Sequence, residues 1–169
     1  MKALFITTDE LKRKSIIQGD TDDDKLVQFI EVAQDIHIQT YLGTDLYNKL
    51  QELIISDTIS DVENEKYKHL TDHYIKPMLV WYSQESYLPF AMYKVGNTGV
   101  FKVSAENSSS VELDDVNSMM NRVRENSGFY TRRFLDYMKD NCDDFPEYKT
   151  TEDDGMKPAK EGDNFNWVL

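Results

Sequence analysis

Cysteine occurs once in the 169 residues, at Cys142, so no internal disulfide can staple this chain. No apolar stretch of the export-signal kind follows Met1, and neither export nor an oxidised framework is expected. The longest hydrophobic run is far short of the roughly 20 apolar residues that a membrane-spanning helix needs, so no membrane partner is expected. Positive charge is scarce as well. Lys and Arg number 19 against 31 Asp and Glu, giving a net charge of -12 and a pI near 4.6. Affinity for nucleic acid comes largely from Lys and Arg displacing counterions, which argues against a protein whose main task is wrapping phosphates. The chain also lacks a phosphate-cradling glycine loop, a nucleophile elbow and paired cysteines for zinc. No enzyme, catalytic residue, cofactor or resident metal is expected.

With 40% apolar and 12% aromatic residues, a chain of this length buries roughly 70% of its unfolded surface in one core. Helical signals dominate. Thr7, Thr8 and Asp9 offer oxygens to the amides before Leu11, Gly19 stops that short helix, and Thr21 to Asp24 start a second at its positive end. Phe29, Ile30, Ala33, Ile36 and Tyr41 keep helical spacing up to Gly43, which fits the left-handed position past a helix end. Thr44 or Asp45 caps the next helix, whose buried stripe is Leu46, Leu50, Leu53 and Ile54. From Glu65 a long helical pattern runs through Trp81 and is interrupted by Pro77, so a kink near His73 to Lys76, or two helices meeting there, is expected. The aromatic density of Tyr74, Trp81, Tyr82, Tyr87, Phe90 and Tyr93 predicts the core. Gly96, Asn97 and Gly99 break the helix, Val100 to Val103 predict a strand or arm, and Glu106 to Ser110 a loop or hairpin tip. A last long helix over about Leu113 to Asn141 carries the seam Leu113, Val116, Met120, Val123, Ser127, Tyr130, Phe134 and Tyr137, and Gly128 marks a bend. After Pro146 the pattern dissolves. The expected architecture is all-α: a bundle of about four main helices over residues 1–148, with a short β arm or hairpin. A flexible acidic C-terminal arm with an apolar tip follows over 149–169.

The stretch ITTDELKRKSIIQGDTDDDKLVQFIEVAQDIHIQTYLGTDLYNKL, Ile6 to Leu50, resembles the head-tail connector (adaptor) proteins of tailed bacteriophages, in particular those of crAss-like phages. ITTDEL and AQDIHIQTYLGTDLYNKL are its most recognisable pieces, with a looser similarity in the rest of the chain. These are packing and capping motifs, so what the resemblance implies is a fold and an assembly role and no active site. It implies a structural protein of the virion neck, made in the host cytoplasm, forming a ring beneath the portal that joins it to the tail and extends the DNA channel. Implied partners are the portal protein, other neck or tail proteins and further copies of the chain, twelve to match the portal, with passive contact with DNA in the channel.

Other chemistry weighs less. His69 and His73 lie one helical turn apart, as two imidazoles sharing a metal would, but the glutamate that follows the first histidine of a zinc-protease helix is absent, and two surface histidines are the simpler reading. Asp20, Asp22 and Asp24 imitate the start of a calcium loop, yet Lys25 stands where that loop needs glycine, and helix capping explains these carboxylates. His37, between Ile36 and Ile38, reads as a hydrogen-bonded helix residue, and the carboxylates around Cys142 make it a poor nucleophile. An acidic DNA mimic or host-factor-binding phage protein is the alternative class, with a metal-dependent helical enzyme behind it. A mimic would spread carboxylates along one face, whereas here they gather before the second helix and in the tail.

Three candidate contact surfaces remain. Arg122, Arg124, Arg132 and Arg133 cluster on the last helix, either as a solvated face paired with Glu112, Glu125 and Asp136 or as a ring-interface or lumen patch. Val100 and Phe101 mark the arm. Phe165, Trp167 and Leu169 form the apolar tip, which either docks into a partner's groove or folds back onto its own domain.

Overall fold

Thr7 opens the first helix, α1 (Thr8–Lys14), by accepting a hydrogen bond from the Glu10 amide at 3.1 Å, satisfying a donor that a first helical turn otherwise leaves orphaned. The second, α2 (Asp23–Ala33), starts the same way, with the Asp22 carboxylate accepting from the Asp24 amide at 3.1 Å. The structure is a computed structural model that describes residues 2–17, 19, 21–91, 93–96, 99–102, 113–149 and 155–161. Beyond Ala33 a π turn at Gln34–Ile38 carries the same rod into α3 (Gln39–Leu42). Gly43 then stops it at φ 75 and ψ 165, a conformation that only glycine adopts cheaply. The chain re-enters helix at once as α4 (Thr44–Ile55).

A 3-10 turn at Val62–Asn64 leads into α5 (Glu65–Leu70), which passes through a second π turn, Thr71–Ile75, into α6 (Lys76–Ala91). Pro77 is the second residue of α6. Its ring crowds the carbonyl four residues back and it has no amide to donate. The widened turn ahead of it, closed by the Lys76 amide on the Thr71 carbonyl, takes up that defect within one rod. Next come β1 (Tyr93–Gly96) and β2 (Gly99–Lys102), antiparallel, with Tyr93 opposite Lys102 and Gly96 opposite Gly99. Glu106 to Ser110 lies outside the described residues. Finally α7 (Leu113–Asn141) runs through Gly128 as one element, and a 3-10 turn, Cys142–Asp144, joins it to α8 (Pro146–Lys149).

The helical class is thus as expected. Taking α2–α3 and α5–α6 as one rod each, the described residues form six helical rods, of which α1 and α8 are short, at 7 and 4 residues. The chain also stays helical past Pro146, in α8, whose Tyr148 is buried.

At the centre lies α6, packed between α2 and α7. Met78, Leu79, Val80, Tyr82 and Leu88 are all buried on it, as a helix apolar on several sides requires. Around it the core is aliphatic, with Leu26, Ile30, Ile38, Leu42, Leu46, Leu50, Leu70 and Ile75 fully buried. The aromatic core expected near Pro77 is corrected accordingly. Tyr82 is buried, but Tyr74, Trp81 and Tyr87 are half-buried, and Phe90 and Tyr93 are 59% and 47% exposed. These rings fall at the rim, where Phe29 meets Tyr87 at 5.4 Å and Phe90 at 5.6 Å. The seam on α7 is confirmed at Val116, Val123, Ser127 and Phe134, all buried, while Met120, Tyr130 and Tyr137 are half-buried.

Two long-range polar devices complete the fold. Gln34 and Gln51, both buried, clamp the N-terminal segment. The Phe5 amide donates to Gln34 Oε1 at 2.9 Å and the Ala3 amide to Gln51 Oε1 at 2.6 Å, while both glutamine side-chain amides donate to the Ala3 carbonyl. At the other end, the C-terminal strap 155–161 crosses the α3–α4 corner. The Thr44 amide donates to the Met156 carbonyl at 2.9 Å, the Met156 amide to Thr44 Oγ1 at 2.8 Å, and the Ala159 amide to the Thr40 carbonyl at 2.9 Å. The strap thereby caps the first turn of α4, which has no side-chain cap of its own. These strap residues fall in the arm expected to be free from 149, and they are fastened to the domain.

Candidate docking site

The exposed side of α7 carries the arginines, and the fold divides them into two pairs. Arg122 meets Glu125 Oε2 at 3.1 Å on its own helix, and Arg124 Nε reaches Glu85 Oε1 of α6 at 3.2 Å. Glu85 also accepts from the Ser127 hydroxyl at 3.0 Å. This pair is a solvated face with acidic partners, each exposed ion pair being worth a fraction of 1 kcal/mol. Glu112, one of the partners expected from sequence, lies outside the described residues.

Arg132 and Arg133 are placed differently. They line a groove of about 640 Å³ with Tyr74, Phe129 and Tyr137 and with two carboxylates, Asp136 and Asp140. Phe129 is 55% exposed there. The Arg133 guanidinium lies 5.0 Å from the centre of the Tyr74 ring, which itself stacks on Tyr137 at 4.1 Å and 23°. A cation over an aromatic face is held by the ring quadrupole without losing its N–H donors. Burial, with Tyr74 alongside, pushes the Tyr137 hydroxyl upward, so it stays protonated at neutral pH. His69 adjoins the stack, 5.9 Å from both Tyr74 and Tyr137, and His73 lies 4.5 Å from His69. Guanidinium forks and exposed aromatic faces in one groove suit carboxylates and apolar side chains of another protein. No group of three or more His, Cys, Asp or Glu among the described residues is placed to hold a metal ion.

The other sequence candidates fall elsewhere. On β2, Val100 stands opposite Val95 and Phe101 opposite Lys94. Phe165, Trp167 and Leu169 lie outside the described residues. Asp22 is a helix cap and Asp23 pairs with Lys12 at 2.8 Å, both structural roles, while Asp20 lies outside the described residues. His37, read as a hydrogen-bonded helix residue, instead stacks flat on Tyr82 at 3.9 Å and 7°, and burial pushes its imidazole down to about 4.

A second cleft, of about 990 Å³, was not legible in the sequence at all. Its rim carries Lys139 from α7, Lys149 from α8 and Lys157 and Lys160 from the strap, and its lining includes Leu135, Met138, Tyr148, Pro158, Asp136 and Cys142. These residues come from α7, the 3-10 turn after it, α8 and the strap.

No helix among the described residues is long and apolar enough to cross a membrane. No curated protein and no solved structure matches the chain. Residues 38–155, from the end of the first π turn to the start of the strap, match the model of DUF6712, described as a family of unknown function, and the chain belongs to that family.

Proposed function

We propose that this protein is a structural subunit of a tailed-phage neck, assembling into a ring that joins the portal to the tail and extends the DNA channel. The observation that carries the reading is the Ile6 to Leu50 stretch, whose residues resemble phage head-tail connectors. Those residues build the rigid corner of α1, α2–α3 and α4. A closed ring requires two different faces of each subunit to meet. The arginine–aromatic groove on α7 supplies one, and the β1–β2 arm is a candidate for the other. Twelve copies would match the portal. Neither Arg132 nor Arg133 makes an ion pair among the described residues, leaving their forks available to a neighbour's carboxylates or to DNA passing through the lumen.

The test is co-assembly. Portal-bearing particles produced with the wild-type chain should retain it through purification. An Arg132→Glu, Arg133→Glu double variant, which gives up the Arg133–Tyr74 contact but no ion pair among the described residues, should be lost from them at least about tenfold while its Tm stays near that of the wild type. Recovery of the wild type on a host nuclease or histone-like protein, with none on portal-bearing particles, would instead establish the acidic DNA-mimic reading.

A further inference from the structure

The lysine-rimmed cleft is an unusual feature for a protein of net charge -12. Four of the chain's 19 basic residues converge on its rim. Lys149 is paired with Asp143, whereas Lys139, Lys157 and Lys160 form no ion pair among the described residues. Between the lysines the lining is apolar at Leu135, Met138 and Tyr148, with Asp136 the one carboxylate among its described lining residues. Cations around an apolar floor specify a ligand with the inverse pattern, carboxylates beside large apolar side chains on an extended segment.

The chain itself carries such a segment. Residues 161–169 read Glu-Gly-Asp-Asn-Phe-Asn-Trp-Val-Leu, with Glu161 and Asp163 preceding Phe165, Trp167 and Leu169. We infer that in the ring, on the reading proposed above, this segment of one copy docks in the lysine-rimmed cleft of the next. The ring reading favours a neighbour over self-docking, since a closed ring needs two different faces of each subunit to meet. Pro158 and the two strap lysines line the cleft, and the strap is pinned at Thr40 and Thr44. Each subunit then contributes one segment and one cleft, the head-to-tail contact that closes a cyclic assembly. Phe165 and Trp167 are the anchors, since large aromatics buried in a pocket dominate interface energetics, and the lysines fix direction.

Cys142 lines the cleft and is the chain's only cysteine, which makes a direct test available. A Val168→Cys substitution places a second thiol in the segment. A short bifunctional maleimide should then give a ladder of covalent oligomers in portal-bearing particles. Adding Lys139→Glu and Lys157→Glu should reduce that ladder at least about tenfold while the protein is still retained. An intramolecular cross-link that leaves the chain monomeric would show that the occupant is the chain's own segment and overturn the inference. Particles that hold the protein but give no cross-link would overturn it too, leaving the ring reading intact. Absence of the protein from the particles would remove both.

Discussion

The N-terminal segment, residues 2–6, and the C-terminal strap are both non-helical pieces fastened to helices, yet they are fastened in opposite ways. Residues 2–6 are held by side chains of distant helices, with Gln34 and Gln51 supplying the amides and carbonyls that a neighbouring strand would otherwise offer. The strap is held backbone to backbone, apart from Thr44 Oγ1, and against a glycine. Replacing Gly43 by any other residue would put a Cβ 2.7 Å from Pro158 Cδ and Cγ and 3.1 Å from the Met156 carbonyl. One attachment therefore depends on the presence of two particular side chains, the other on the absence of one. The difference teaches where each can be broken, and the perturbations rank accordingly.

The largest effect should come from Gln34→Met, which keeps the volume but strands the buried Phe5 amide and takes a donor from the Tyr47 hydroxyl, 3.0 Å away. Leaving buried groups unsatisfied costs about 3 kcal/mol here, a fall in Tm on the order of 10 °C for a chain of this size. Thermal unfolding of the variant checks it, and an unchanged Tm would mean that the clamp is not what holds the segment.

His37, in the π turn that also carries Gln34, makes the stability of the fold depend on pH. Burial holds its imidazole at about 4 in the folded state, below the ordinary histidine value of about 6.5. The unfolded chain therefore binds the proton first, so stability falls as pH drops from about 6.5 toward 4 and the loss levels off below that. The full difference corresponds to about 3 kcal/mol, reduced to about 2 for partial exposure of the ring. Asp23, Asp72 and Asp143 are held below the ordinary carboxylate range, so their contributions fade at lower pH still. Urea unfolding at pH 7 and pH 4.5 should show the loss in the wild type and not in His37→Phe, which keeps the stack on Tyr82.

Gly43→Ala tests the strap. Backbone strain at a positive φ and the contact with Pro158 together should cost about 2 kcal/mol. Amide exchange at Thr44 and Ala159 should accelerate far more than exchange in α2 or α6. Equal acceleration everywhere would show that the strap and the domain open as one unit. The smallest effect is a gain: a Cβ on Gly128 meets nothing within 4 Å, so Gly128→Ala should stabilise α7 by up to about 1 kcal/mol.

What the sequence disclosed follows from the range of each interaction. Thr7, Asp22 and Gly43 act within a few residues of themselves, and capping chemistry and the positive φ were readable at each. The long apolar seam of α7 was readable for the same reason, because helical periodicity is local. Gln34 and Gln51 gave no signal, since nothing in a helical stretch marks a glutamine whose partner is 31 or 48 residues away. The lysine-rimmed cleft escaped because its rim is assembled from α7, α8 and the strap. The aromatic core was misplaced on a ring-counting argument. Burial is decided by which face of α6 points at α2 and α7, and the aliphatic residues occupy those faces. The arginine quartet was seen as one cluster on one helix, but Glu85, from α6, claims Arg124 and leaves only Arg132 and Arg133 to the groove.

Electron microscopy of portal-bearing particles produced with this chain is the decisive measurement. A ring of this subunit is expected beneath the portal, with α7 at a subunit boundary or facing the channel. A portal vertex that is complete while the chain remains free in solution would contradict it.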